Sequence, residues 1–405
     1  MRLNAHVSLV AILISGMLVA GCEQRAAEAT CPKAADAPQT AEAETADLPV
    51  DSVPMPRGNA ARTGEQPGPG PIGQPRLYWR FGQGEEVSDP VVSDGIVYVG
   101  SEGRVSGLNA RTGERVWLLE TGAGIPMPSV VNDTVYITTR DGYVYAYDAR
   151  SGRQRWQFAA DNVIASAPTV LNDVVYVGTG RMQSAGSVYA LDAATGQERW
   201  RYAIPTRYDF EDGTSSALTV SDGVVYIVSS QGAMYALDGG TGERCWRSNL
   251  DLGGFKLNMA AVADGKVYIG KSEQREGNDD LYALDAKTGQ EQWKSEGGGG
   301  WSSVAVAGGV VYTGSDDRSL HAVGARSGDR KWSLETGAFE WAAPVWADGT
   351  VYATSEDGFL YALDEATGTQ RWRFPIGEAK GSSPAVVGGV VYVGTSDGLY
   401  AIGGI

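Results

Sequence analysis

From residue 76 onward, short apolar runs alternate with two-residue turn signals. Residues 166–171 are small and β-branched, Asn172-Asp173 interrupts them, and Val174-Val175-Tyr176-Val177-Gly178 is a second run. Residues 187–192 form a third run, Ala193-Ala194-Thr195-Gly196 a further turn, and residues 197–202 a fourth segment carrying Trp200. Equivalent turn pairs are Asp94-Gly95, Asp222-Gly223, Asp264-Gly265 and Gly308-Gly309, residues that accept the positive φ of tight hairpins. Each unit therefore predicts four antiparallel strands. The unit also repeats. Trp79, Trp117, Trp156, Trp200, Trp246, Trp293, Trp332 and Trp372 follow one another at steps of 38, 39, 44, 46, 47, 39 and 40 residues. Four strands at a period near forty predict an all-β propeller of four-stranded antiparallel blades.

Counting the units fixes the number of blades. Seven complete copies end at the last seven tryptophans. An eighth begins at Gly381 and runs through Leu399-Tyr400-Ala401-Ile402, stopping before its outer strand. The orphan Leu77-Tyr78-Trp79-Arg80-Phe81 has the composition of that missing strand, like Trp372-Arg373-Phe374. An eight-bladed ring follows, with residues 77–81 completing the last blade. Such closure removes an open sheet edge. The repeated Trp, Tyr and Leu are then core residues packed between sheets, and the Asp, Thr and Gly of each turn satisfy local backbone groups.

Before the repeats the chain changes character. An apolar run at 7–20 follows Arg2 and is too short to span a bilayer, so residues 1–21 read as an export signal. It ends in Val19-Ala20-Gly21-Cys22, which resembles a bacterial lipobox and implies acylation of Cys22. More than one acyl chain makes a stable anchor. Residues 22–75, rich in Ala, Glu, Pro and Gly, predict a disordered tether, and 76–405 the propeller. Within the tether, residues 55–71 (MPRGNAARTGEQPGPGP) resemble a lead-in found before quinoprotein-like propellers. The net charge of −16 argues against a nucleic-acid partner and against direct binding to anionic lipid. Of three cysteines, Cys245 lies in Glu243-Arg244-Cys245-Trp246, where a solvent-facing spare thiol is expected in preference to a bond with Cys31.

The phrase at 190–200 (ALDAATGQERW) and its copies at 236–246 and 362–372 resemble the tryptophan-docking motif of quinoprotein alcohol dehydrogenase-like propellers, the PQQ-like repeat family. That family holds pyrroloquinoline-quinone (PQQ) enzymes and non-catalytic members. A lipobox, a linker and an eight-bladed propeller together resemble the BamB-type lipoproteins of outer-membrane protein assembly. The resemblance to the enzymes implies adjacent disulfide-forming cysteines and long insertions holding calcium and a catalytic carboxylate. No two cysteines here are adjacent, and no insertion is as large as a blade. His321, the one histidine after the signal, stands where other copies place Tyr and reads as a packing residue. The expectation is thus a non-enzyme with no cofactor and no metal site.

Length variation falls on one face of the ring, in the loops at 178–186, 205–213 and 270–280. Recognition is usually placed in loops on a rigid scaffold. Arg181, Arg207, Tyr208, Phe210, Lys271 and Arg275 form the candidate binding patch there. Three residues before each inner-strand proline position stand Val87, Ile125, Ala165, Ser215, Leu257, Trp301, Trp341 and Gly381. They should ring the channel mouth, with Trp301 and Trp341 either plugging it or stacking on a ligand. The chain is expected to be a monomeric, lipid-anchored envelope scaffold, most simply at the outer membrane facing the periplasm, that binds a protein partner. The alternatives are a PQQ-dependent dehydrogenase and an extracytoplasmic ligand- or glycan-binding sensor.

Overall fold

The computed structural model describes residues 52–404 except 72, 123, 126, 165, 181–185, 206–212, 215–216, 249, 251–258, 272–279, 297–302, 316, 337, 339–341 and 378–381. Its strands form eight four-stranded sheets, as the repeat count predicts. Blades one to seven occupy 91–120, 127–159, 169–203, 219–248, 261–296, 305–335 and 345–375 in chain order. Blade eight combines Ala385–Val387, Val390–Thr395 and Gly398–Gly404 with Pro75–Phe81. That last strand runs antiparallel to Gly398–Gly404, with Trp79 opposite Ala401.

One contact joins blade to blade. Trp200 on the outer strand of blade three donates its indole N–H to the Gly239 carbonyl in a turn of blade four, 2.8 Å away. Tyr176, on the second strand of blade three, donates to the same carbonyl at 3.3 Å, and its ring sits 6.0 Å from that of Trp200. Seven tryptophans repeat the contact at 2.8–3.0 Å, from Trp79 to Ala110 round to Trp332 and Glu365. The acceptor turn is itself locked. Asp192 Oδ1 receives the amides of Ala194 and Thr195, while Oδ2 receives Arg199 at 2.7 Å. Hydrogen bonds from Arg199 and Thr195 hold this carboxyl down at about 2. The turn residues therefore serve local backbone, as the sequence predicts.

The tether expectation fails for 52–71. This stretch is largely buried and threads the central channel, making one circuit that meets every inner strand in order. Val92, Val130, Val220, Val262, Val306 and Trp346 donate their backbone N–H to the carbonyls of Val53, Pro54, Ala60, Ala61, Thr63 and Gly64 at 2.6–3.0 Å. Val170 donates to Met55 Sδ at 3.5 Å, and Val386 to Gln66 Oε1 at 2.5 Å. The inner strand of every blade is an edge strand with outward-pointing amides, and burying them unpaired is costly. An Ala, Pro and Gly composition carries no hydrophobic drive of its own, but it lets the backbone approach eight donors. Composition alone therefore misreads the segment. The strap leaves through the face carrying the hairpin turns, where Gly389 N–H meets the Pro69 carbonyl at 2.9 Å.

Cys245 corrects a second expectation. It is half-buried against the blade four and five core and is disulfide-bonded. The only other cysteines, Cys22 and Cys31, lie outside the described residues. A spare thiol is excluded.

Two glycines of blade four isolate the docking contact. Gly242 and Gly223 share a φ near +70°, but a Cβ on Gly242 would lie 2.7 Å from the Trp200 ring, whereas one on Gly223 meets nothing within 4 Å. Gly223→Ala is expected to cost about 1 kcal/mol, the left-handed penalty alone. Gly242→Ala should cost a further 1–3 kcal/mol or so for the displaced indole. Thermal unfolding followed by tryptophan fluorescence measures both; equal losses would refute the docking role.

Candidate functional site

The ring has two unlike faces. One carries the uniformly tight hairpin turns and the exit of the strap. The other carries the connections between blades and the loops from each second to third strand. On this loop face the bases of the blade three and four loops are stitched together. Gly180 N–H bonds the Val163 carbonyl at 2.9 Å, Thr214 N–H bonds Thr179 at 3.0 Å, and Ser230 N–H bonds Gly213 at 2.8 Å. A Cβ on Gly186 would strike the Gly213 Cα at 2.5 Å. Asp161 anchors the group by accepting Thr179 Oγ1 at 3.1 Å and Ser187 Oγ at 3.0 Å.

Of the sequence-predicted patch, one residue is described. Lys271 closes the second strand of blade five opposite Asp280, and its charge reaches Tyr282. Arg181, Arg207, Tyr208, Phe210 and Arg275 lie outside the described residues, as do Trp301, Trp341 and Cys22. Of the predicted mouth ring, Val87 is buried and Ile125 half-buried, while the other members also fall outside. The structure brings together the residues flanking 181–185 and 206–212. His321 is a packing residue: it is 1% exposed, with Nε2 2.9 Å from Asp317 Oδ2. Blade seven makes the same pair from Tyr361 and Asp357.

A polar cluster that sequence reasoning missed lies on the axis. Arg62 on the strap is fully buried; Nη1 donates to the Pro56 carbonyl at 2.5 Å and Nη2 to Thr169 Oγ1 at 2.8 Å. Arg57 is 1% exposed, and none of its three guanidinium nitrogens has a hydrogen-bond partner among the described residues. Asp89, on the wall where blade one begins, accepts the Ser383 N–H of blade eight at 2.9 Å. Burial, and then the charge of Arg62, lowers the Arg57 pKa to about 9. Burial alone lowers Arg62 to about 10. Burial pushes Asp89 up to about 6, against the Ser383 hydrogen bond and the charge of Arg62. The available signal was two arginines in a segment otherwise poor in long side chains, but such a segment reads as linker.

A second missed feature is on the rim. The exposed large apolar side chains among the described residues are Leu77 and Tyr78 on the outer strand of blade eight, and Val116 and Leu118 on that of blade one. The corresponding positions of blade three are the charged Glu198 and Arg199 with Arg201.

Comparison with known proteins places this geometry. A likeness to the europium-containing methanol dehydrogenase has a TM-score of 0.70 at 16% identity, over 87% of this chain and 98% of that one. One to BamB from Moraxella catarrhalis has a TM-score of 0.63 at 20% identity, over 82% and 98%. At these identities both show the fold alone. In sequence, the quinohemoprotein alcohol dehydrogenase ADH-IIG of Pseudomonas putida is 35% identical over 109 residues, which are 20% of this chain and only 15% of that protein.

Asp89 makes the axial cluster testable by pH. Its folded pKa lies above the usual 3.8, so the native state holds a proton that the unfolded chain releases between pH 4 and 6. The stability of the wild type should fall across that window and then level. Arg57 and Arg62 are the charges that face Asp89 and oppose this fall. Asp89→Asn keeps the acceptor for Ser383 and should flatten the profile, gaining on the order of 2 kcal/mol relative to wild type between pH 4 and 7. Denaturant unfolding at the two pH values checks this; parallel profiles would refute it.

The model of the family described as outer membrane protein assembly factor BamB matches residues 101–208, 181–294, 236–343 and 277–403. The chain belongs to that family of PQQ-like repeat propellers.

Proposed function

We propose that this protein is a non-catalytic envelope scaffold, held to a membrane through Cys22, that binds a protein partner with the loop face of its propeller in the manner of BamB. The observation carrying the reading is the asymmetry of the ring. The strap fills the axis and leaves through the turn face, while the length variation gathers on the opposite face above feet that are rigidly stitched. Rigid feet under variable loops are the arrangement that recognition sites favour. The bonded Cys245 supports an oxidising compartment outside the cytoplasm. Arg207, Tyr208 and Phe210 would supply the aromatic and arginine anchors that dominate protein interfaces.

The second reading, a PQQ-dependent dehydrogenase, is favoured by the local identity to ADH-IIG. The described residues fit that cofactor and its calcium poorly. Among them no cluster of three His, Cys, Asp or Glu side chains is arranged to hold a metal. The strap's backbone occupies the axis of the ring. No reaction step is therefore assigned to this chain.

Two experiments test the proposal. Replacing Arg207, Tyr208 and Phe210 together by Ala should weaken capture of the membrane partner at least about tenfold while leaving the thermal midpoint unchanged. Quantitative photo-cross-linking from position 181 in intact cells, with mass spectrometry of the captured protein, reads this out. Undiminished capture, or dye reduction by the purified chain with PQQ, calcium and alcohols, would refute the scaffold reading. Cys22→Ser should move the protein from the membrane fraction to the soluble envelope fraction on fractionation; retention in the membrane would refute the anchor.

A further inference from the structure

Arg57 stands out among the buried cations of the described residues. It carries a guanidinium that is 1% exposed and, among the described residues, has no hydrogen-bond partner at Nε, Nη1 or Nη2. Its neighbour Arg62 is also fully buried but spends its donors on Pro56, Thr169 and, at 3.5 Å, the Leu218 carbonyl. A buried, unpaired charge is among the most costly arrangements a protein can hold, so an uncompensated guanidinium requires a counter-charge.

The location narrows what that counter-charge is. Thr169 and Leu218 immediately precede Val170 and Val220, the residues that bond the strap's backbone. Inner strands run from the loop face to the turn face, so the Arg62 guanidinium stands on the loop-face side of the strap. Arg57 lies within electrostatic reach of Arg62 and of Asp89, which enters its strand from that same side. The strap closes the axis behind them. The result is a buried axial cluster of two arginines and one carboxylate that Ser383 already holds. Two positive charges against one negative leave an excess of one.

We propose that this axial cluster is a binding site for a single carboxylate, taken by the free guanidinium edge of Arg57. A planar carboxylate matches the arginine fork with two parallel hydrogen bonds, and one negative charge completes the local balance. The site is independent of the partner surface proposed above, because none of its residues belongs to the long loops. The carboxylate is either a small free acid or an acidic side chain offered by a partner, and the two are separable.

Isothermal titration of the full chain at constant ionic strength with formate, acetate and N-acetyl-aspartate amide tests the site. Saturable one-to-one binding is expected, weakened at least about tenfold in Arg57→Gln, which removes the charge and the fork. Binding of the aspartate amide alone, lost in the same variant, would establish the site with a partner's side chain as its source. The variant without ligand should be at least as thermostable as wild type, since it sheds an unpaired buried charge, and it should lose the stabilisation that the acid confers on wild type. Should Arg57→Gln not fold, Arg57→Lys keeps the charge without the fork and should bind measurably more weakly. No saturable binding of any of the three, or affinity unchanged in the variant that folds, would overturn the proposal.

Discussion

Every sheet of this ring turns an unpaired edge toward the axis, and the structure depends on how those eight amides are satisfied. A propeller converges there, so the inner edges are too crowded for eight independent solutions and too dry for water to serve all of them. One strap resolves the constraint. Within the fourteen residues from 53 to 66 it passes all eight blades and gives each an acceptor, mostly a carbonyl, once a thioether and once a side-chain amide. The two exceptions are instructive. Met55 and Gln66 stand where the strap's backbone does not supply an acceptor, and each reaches across with a side chain of suitable length. The strap thus ties the blades together at the centre, as the tryptophans do between blades.

The tryptophan docking has a seam where the ring closes. Seven indoles find a carbonyl in the next blade, but Trp372 faces blade eight, which has no turn after its third strand because Pro75–Phe81 arrives from the other end of the chain. Trp372 therefore has no turn carbonyl of blade eight to dock on, and the Tyr352 hydroxyl meets Thr350 instead. Around them is a cavity of about 340 Å³ lined by Pro69, Gly70, Pro71, Gln74, Arg371 and Trp372. Gly70 is required there, since a Cβ would fall 1.7 Å from the Tyr352 hydroxyl. The strap on its way out therefore fills part of the space that a turn occupies at the other seven interfaces. Closing a ring with a strand from the far terminus costs one docking contact, and the chain recovers part of it with glycine and proline.

How far the sequence could be read followed from how each feature is encoded. Four strands per unit, eight units and the packing roles of Trp200, Tyr176 and His321 were legible because repetition states them many times. The strap was not legible. Its role depends on donors more than thirty residues away, and Ala, Gly and Pro in a row are ambiguous between a chain that nothing holds and one held only by its backbone. Arg57 and Arg62 were hidden by the same ambiguity, since a cation in a linker is expected to be solvated. Cys245 was misjudged for a related reason. Its neighbours Arg244 and Arg247 mark an outer strand, but they say nothing of a partner far off in the chain.

The fold is shared by proteins described as dehydrogenases and as an assembly factor, so the ring itself does not decide what is done with it. What distinguishes one chain from another is the use made of the axis and of the loop face. Here the axis is given to the strap, which shuts the channel from the turn face and places two arginines on its inner side. The chain is acidic, with a net charge of −16, so an anion approaching the axial arginines meets repulsion at long range and attraction only close to them. Selection then rests on short-range fit instead of steering. A site with that balance disfavours large polyanions, which would feel the whole surface, and favours a small single charge that sheds its water on binding.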